Sequence, residues 1–95
     1  MRRHYVVSYD IANDKRRNEV FGTLKGFGNH AQYSVFFCEL DQKEFVRLRR
    51  QLRDAIHERQ DQVMILDIGP SNRDFEECLQ VIGKPYDPPT RVVVV

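Results

Sequence analysis

A run near the amino end, His4-Tyr5-Val6-Val7-Ser8-Tyr9-Asp10-Ile11, alternates so that Tyr5, Val7 and Tyr9 fall on one side and Val6, Ser8 and Asp10 on the other. A period of two in β-favouring residues predicts a strand, and it puts an acid at the strand's carboxyl end. Inside a strand a carboxylate would be a costly buried charge, whereas layered α/β proteins gather ligand and catalytic groups in the loops where strands end. Asp10 is therefore the first candidate for chemistry. A plainer reading, in which it caps the next turn or pairs with an arginine, stands beside that one.

A chain of 95 residues makes one domain with a single small core, burying roughly 60 to 65% of its unfolded surface. Fifteen basic residues against 14 acidic ones leave a formal charge of +1, with 31% of residues charged. That balance excludes a strongly basic coat for nucleic acid and a disordered tail, so any anion site must come from local clustering. Cys38 and Cys78 form no C-x-x-C pattern, and His4, His30 and His57 have no zinc spacing; both thiols read as reduced core or interface residues. No apolar run approaches the ~20 residues of a membrane span, and Met1-Arg2-Arg3 leads into a strand and not into a signal-peptide core. The expectation is a cytoplasmic protein with no membrane partner.

Asn13 is suited to cap a helix that opens with Asp14 and runs to about Phe27, closed by Gly28-Asn29. Its buried stripe is Val20, Phe21, Leu24 and Phe27, and continuing that stripe back one turn reaches Arg16 and Arg17 near Asp10. One reading is an ion pair between Arg17 and Asp10; the other is bidentate binding of phosphate oxygens by the two guanidiniums. From Ala31 to Leu40 the chain is strongly β, apolar on both faces through Phe36 and Cys38, and either one strand or two meeting near Ser34. Asp41 caps the next predicted helix, Gln42 to about Arg59, with Glu44 at the capping-box position and Phe45, Leu48, Leu52, Ala55 and Ile56 as its stripe. Arg49, Arg50, Arg53 and His57 flank that stripe as a solvated face, a weak phosphate track or a contact with an acidic partner.

Val63 to Ile68 reads as a strand, followed by a short helix from Arg73 or Asp74 to Val81 with Phe75, Cys78, Leu79 and Ile82 inward. Residues 84–95 then differ from the domain of residues 1–83: Lys84-Pro85-Tyr86-Asp87-Pro88-Pro89 is a stiff extended connector, and Arg91 leads into four valines. Four valines on a bare edge would aggregate, so they must pair with a sheet. The arm docks on its own sheet or crosses to a partner, and the second alternative predicts a symmetric homodimer. In chain order the elements give an α+β, ferredoxin-like βαββαβ sandwich with an extra C-terminal strand.

The segment Tyr5 to Ile11, the helix opening Lys15-Arg16-Arg17, Gln32-Tyr33-Ser34-Val35-Phe36, the helix after Asp41, Asp61 to Ile65 and Ile82-Gly83-Lys84-Pro85 together resemble the small CRISPR-associated Cas2 family. The resemblance covers almost the whole chain. It implies a ferredoxin-like homodimer that joins the Cas1 integrase in spacer acquisition, and in some members a magnesium-dependent nuclease on RNA or duplex DNA. Carried over, Asp10 is the catalytic and metal-binding aspartate, and Tyr9, Arg16, Arg17 and Phe36 are the residues that bind nucleic acid. This chain has His30-Ala31 where the family often has an arginine, and Met64 where another is frequent. Magnesium takes six oxygen ligands, and one carboxylate per chain leaves most of them to water, so a twofold pair of Asp10 residues is the arrangement that would hold the ion. A non-catalytic scaffold on the DNA backbone and a ferredoxin-like module that binds a small ligand are the alternatives.

Overall fold

A computed structural model describes residues 1–86. Its first strand, β1 (Arg3–Asp10), lies inside a four-stranded sheet of order β2-β3-β1-β4, with β2 at Gly28–Gln32, β3 at Val35–Leu40 and β4 at Gln62–Pro70. All three pairings are antiparallel. Helices α1 (Asp14–Lys25) and α2 (Gln42–Ala55) complete the ferredoxin-like α+β arrangement.

Alternation decides what each strand buries. Tyr5 pairs with Cys38 and Val7 with Phe36, and with Tyr9 and Leu40 these side chains form one apolar layer. Val20 and Leu24 of α1 and Leu48, Leu52 and Ala55 of α2 close over it, with Phe21, Phe27, Phe45 and Ile56 at the margin. Each wholly covered Val, Leu or Phe contributes roughly 1.5–3 kcal/mol of transfer free energy. Cys38 belongs to this layer, and burial pushes its thiol up to about 11, which keeps it protonated and inert.

The caps read from the sequence are present. Asn13 accepts from the Arg16 amide at 3.0 Å, and Asp41 and Glu44 exchange side-chain and backbone hydrogen bonds as a capping box. Boundaries moved for identifiable reasons. Gly28 begins β2 and does not close α1: a Cβ there would lie 2.5 Å from both Cys38 Sγ and the Phe37 carbonyl oxygen, so only glycine lets the two strands meet. The β segment divides into β2 and β3 at Tyr33-Ser34. Helix α2 stops at Ala55, short of Arg59, because the His57 amide donates to the Asp61 carboxylate at 2.7 Å.

The helix expected from residue 73 or 74 to Val81 is only one 3-10 turn, Phe75–Cys78, capped by Asp74. Phe75 does pack inward, 4.5 Å from the Phe37 ring and 5.5 Å from His4. Cys78 is exposed and Ile82 fully so, contrary to the sequence reading, because a short helix persists only when its stripe meets a packed layer. Most of the arm, residues 87–95, and with it the terminal valine strand, lies outside the described residues.

Candidate nucleic-acid site at the tip of the central strand

Asp10 ends β1 opposite Gln62 of β4, exposed, on the side shared with Val6 and Ser8 and turned away from the helices. Among the described residues its carboxylate accepts no hydrogen bond and joins no ion pair, so the reading in which Arg17 neutralises it is corrected. Arg17 instead donates to the Ile11 carbonyl oxygen at 3.1 Å and pairs with Asp14 one turn earlier. Arg17 nevertheless lines the same cavity as Asp10. Tyr9, Asp10, Ile11, Arg17, Tyr33 and Ser34 enclose about 290 Å³ at the strand tip.

The β2–β3 turn is held there by backbone: the Tyr9 amide donates to the Ser34 carbonyl oxygen at 3.1 Å. Tyr9 is 6% exposed, its ring 6.4 Å from Phe36, and burial raises its hydroxyl pKa against the opposing charge of Arg17. Tyr33, at the turn, is 94% exposed.

Two of the five residues inferred from the resemblance are placed elsewhere. Arg16 Nε donates to Asp61 Oδ2 at 2.7 Å, and its Nη2 reaches Gln60 at 3.1 Å, so its guanidinium faces the α2–β4 turn and not the cavity. Asp61 also accepts from the Ala12 amide at 3.0 Å and from His57, which ties the ends of β1 and α2 and the start of α1 to one covered carboxylate. The Arg16 hydrogen bond, followed by those backbone amides, holds the Asp61 carboxyl well below the usual carboxylate range. Phe36 has no exposed surface; it is a core ring in edge contact with Phe21 at 5.4 Å, so its role is to support Tyr9 from behind, not to meet a ligand. Conversely, sequence reasoning missed Asp61 as the anchor of Arg16, and Tyr33 and Ser34 as residues of the site; the turn between two β runs was the available signal.

The residues that line the cavity carry oxygen groups, the Asp10 carboxylate, the Ser34 hydroxyl and the phenols of Tyr9 and Tyr33, with no sulfur or imidazole among them. That donor set suits a hard cation that keeps part of its water shell. Among the described residues no group of three or more His, Cys, Asp or Glu side chains is placed to hold a metal, so one chain supplies a single carboxylate there.

A two-layer ferredoxin-like domain with an uncommitted acid and an arginine at the tip of a central strand is the class that fold and site define. Within that class, the chain belongs to the family described as CRISPR associated protein Cas2, whose model matches residues 2–76. It is 37% identical over 91 residues to the CRISPR-associated endoribonuclease Cas2 of Geobacter sulfurreducens, covering 96% of this chain and 95% of that protein. It is 40% identical to the CRISPR-associated endoribonuclease Cas2 1 of Rhodospirillum rubrum, covering 87% of this chain and 80% of the relative. A crystal structure of a Cas2 protein superposes with a TM-score of 0.74 at 29% identity, over 99% of this chain and all of the other. No helix of the described residues is long and apolar enough to cross a membrane.

Proposed function

We propose that the chain is a CRISPR adaptation protein that cleaves nucleic acid, RNA in the first instance, at the Asp10 cavity as a homodimer. The observation that carries this reading is the cavity itself, which Asp10, exposed and unpaired, and Arg17 line together at the end of the central strand. Endoribonuclease is the name given to the relatives from Geobacter sulfurreducens and Rhodospirillum rubrum. The homodimer is supported by the sheet face opposite the helices. There Val6 pairs with Phe37 on one side and Leu66 on the other, Ser8 pairs with Met64, and Met64 and Leu66 are 52% and 54% exposed. Asp10 is on that same face, so a twofold pairing across it would bring two such carboxylates toward one another.

Asp10 and its twofold mate are the residues that would hold magnesium, and Ser34 lines the same cavity. When bound, that ion supplies Lewis-acid polarisation of the phosphate and a more acidic water. Arg17 holds a phosphate oxygen by a charge-assisted hydrogen bond and offsets the negative charge that develops as water adds to phosphorus and the ester oxygen leaves. Tyr9 walls the cavity, and Arg16, through Asp61, fixes the first turn of α1 from which Arg17 projects.

The second reading is a scaffold that bridges Cas1 integrase subunits and grips duplex DNA without cutting it. The single carboxylate per chain favours it, as do Arg50 and Arg53 on the exposed side of α2, which make no ion pair among the described residues.

Cleavage of single-stranded RNA and of duplex DNA, with and without magnesium, separates the two. Asp10→Asn is expected to lower RNA cleavage by about 100-fold or more, the scale for loss of a group that stabilises transition-state charge, while leaving the oligomeric state unchanged. Undiminished cleavage by that variant refutes the nuclease reading. Spacer acquisition that survives Asp10→Asn supports the scaffold.

A further inference from the structure

A short loop, Ile11 to Asn13, joins Asp10 to the first turn of α1. It is held by a carboxylate that lies outside the cavity lining. Asp61, in the turn before β4, has a side chain with no exposed surface, and four donors converge on its two oxygens. The Ala12 amide at 3.0 Å and Arg16 Nη2 at 3.3 Å reach Oδ1; Arg16 Nε and the His57 amide, each at 2.7 Å, reach Oδ2. Beside this cluster Arg17 donates to the Ile11 carbonyl oxygen at 3.1 Å. Ile11 and Arg17 each neighbour a residue that Asp61 holds.

From this geometry we infer that Asp61 is a positioning residue for the strand-tip site: it sets where Arg17 stands relative to Asp10 without meeting a ligand itself. This rests on the nuclease reading for what Asp10 and Arg17 do, and it adds a residue from the α2–β4 turn to the support of that site. The physical reason is the donor-only surroundings of the carboxylate. An ionised carboxylate has two acceptor oxygens and no proton, so it holds all of these donors together, whereas a carboxamide of the same size has one oxygen and turns an amino group toward donors. Asp61→Asn therefore cannot keep the cluster, and the loop that carries Ala12 is released from the α2–β4 turn. Arg17 sits on the helix that this loop starts, and misplacing a group by about 1 Å is enough to lower a rate on the order of 100-fold. Asp10 stays in β1 opposite Gln62, so the site is misaligned and not dismantled.

The test is single-turnover cleavage of a short RNA in magnesium, at saturating protein and below the thermal midpoint of every variant. Binding of the same RNA in calcium and hydrogen exchange of the Ala12 amide are measured beside it. Asp61→Asn is expected to cleave about 10- to 100-fold more slowly yet bind the RNA within about threefold of wild type, because the charges that line the cavity are unchanged. Leu40→Val is the control for lost stability alone. It removes volume from the covered layer at the far end of β1, where Leu40 pairs with Arg3, and its rate should stay within about twofold of wild type. The Ala12 amide of Asp61→Asn should exchange about five- to tenfold faster relative to amides within β1, the scale of one lost hydrogen bond. A wild-type cleavage rate in Asp61→Asn, an equal loss in Leu40→Val, or a loss confined to RNA binding overturns the inference. The outcome is also separable from that for the nuclease. If Asp10→Asn is inactive while Asp61→Asn cleaves normally, only the positioning role falls. If Asp10→Asn cleaves as wild type does, the nuclease reading falls, and exchange then judges Asp61 by itself: unchanged protection of Ala12 overturns its hold on the loop.

Discussion

The two faces of the sheet are built from alternate residues of the same strands and have opposite fates. On the helix side Tyr5, Val7, Tyr9, Phe36, Cys38 and Leu40 are almost wholly covered. On the other side Val6, Ser8, Asp10, Phe37, Met64 and Leu66 are covered only in part, by the Phe75 and Tyr86 rings over Phe37, and Asp10 stands open. The first face specifies the fold and tolerates little change in volume; the second is free to carry a charge and an interface. The difference explains why Phe36 and Phe37, adjacent in sequence, have unrelated roles, and it can be broken experimentally from either side.

The largest effect is expected at Phe36. Truncation to alanine removes a ring that touches both Tyr9 and Phe21 from a closed layer and should destabilise the chain by about 3–5 kcal/mol, measured by denaturant unfolding. If Phe36→Ala instead left stability intact and only weakened nucleic-acid binding, the assignment of this ring to the core would be wrong.

A smaller loss is expected at Asp61, which ties the helix layer to the sheet edge. Asp61→Asn removes the anion that holds Arg16 and should lower the thermal midpoint at neutral pH. The carboxyl is depressed in the folded state, so the unfolded chain takes up its proton first as the solution is acidified. Its contribution is therefore full above the unfolded value near about pH 3.9 and is lost as the pH falls through the lower folded value. The gap between the midpoints of wild type and Asp61→Asn should begin to narrow below about pH 4, the ordinary range of an aspartate, and keep narrowing toward the lower folded value. A difference that persists unchanged into acid would mean that the ion pair is not its source.

These two residues also mark what was readable in the sequence. The alternation of Tyr5, Val7 and Tyr9 and the caps at Asn13 and Asp41 depend on neighbours a few residues away, and the strands, helices and the exposed acid at Asp10 followed from them. Which face of β3 points inward did not follow, because both are apolar; the helix layer chooses Phe36. The destination of Arg16 was equally out of reach, since Asp61 lies 45 positions away and no local pattern couples them. Helical phasing brought Arg16 and Arg17 to the right end of α1, but the distant carboxylate decided that one should brace the fold and the other face the cavity.

The smallest effect on the single chain, and the sharpest test of the open face, is expected at Leu66. It is 54% exposed and pairs across the strand with Val6, so an aspartate there meets water and should change the folding stability of one chain by no more than about 0.5 kcal/mol. Two copies that pair through this face would have to bury that aspartate without a partner, which costs several kcal/mol and opposes association. Leu66→Asp should therefore sediment as a monomer with an unchanged circular dichroism spectrum at concentrations where wild type is expected to form the proposed dimer. It should also lose magnesium-dependent cleavage without any change at Asp10, because among the described residues each chain supplies one carboxylate to the cavity. A Leu66→Asp protein that stays dimeric would move the interface off this face and leave the two Asp10 residues apart, whereas a monomer that still cleaves would show that one carboxylate and its waters suffice.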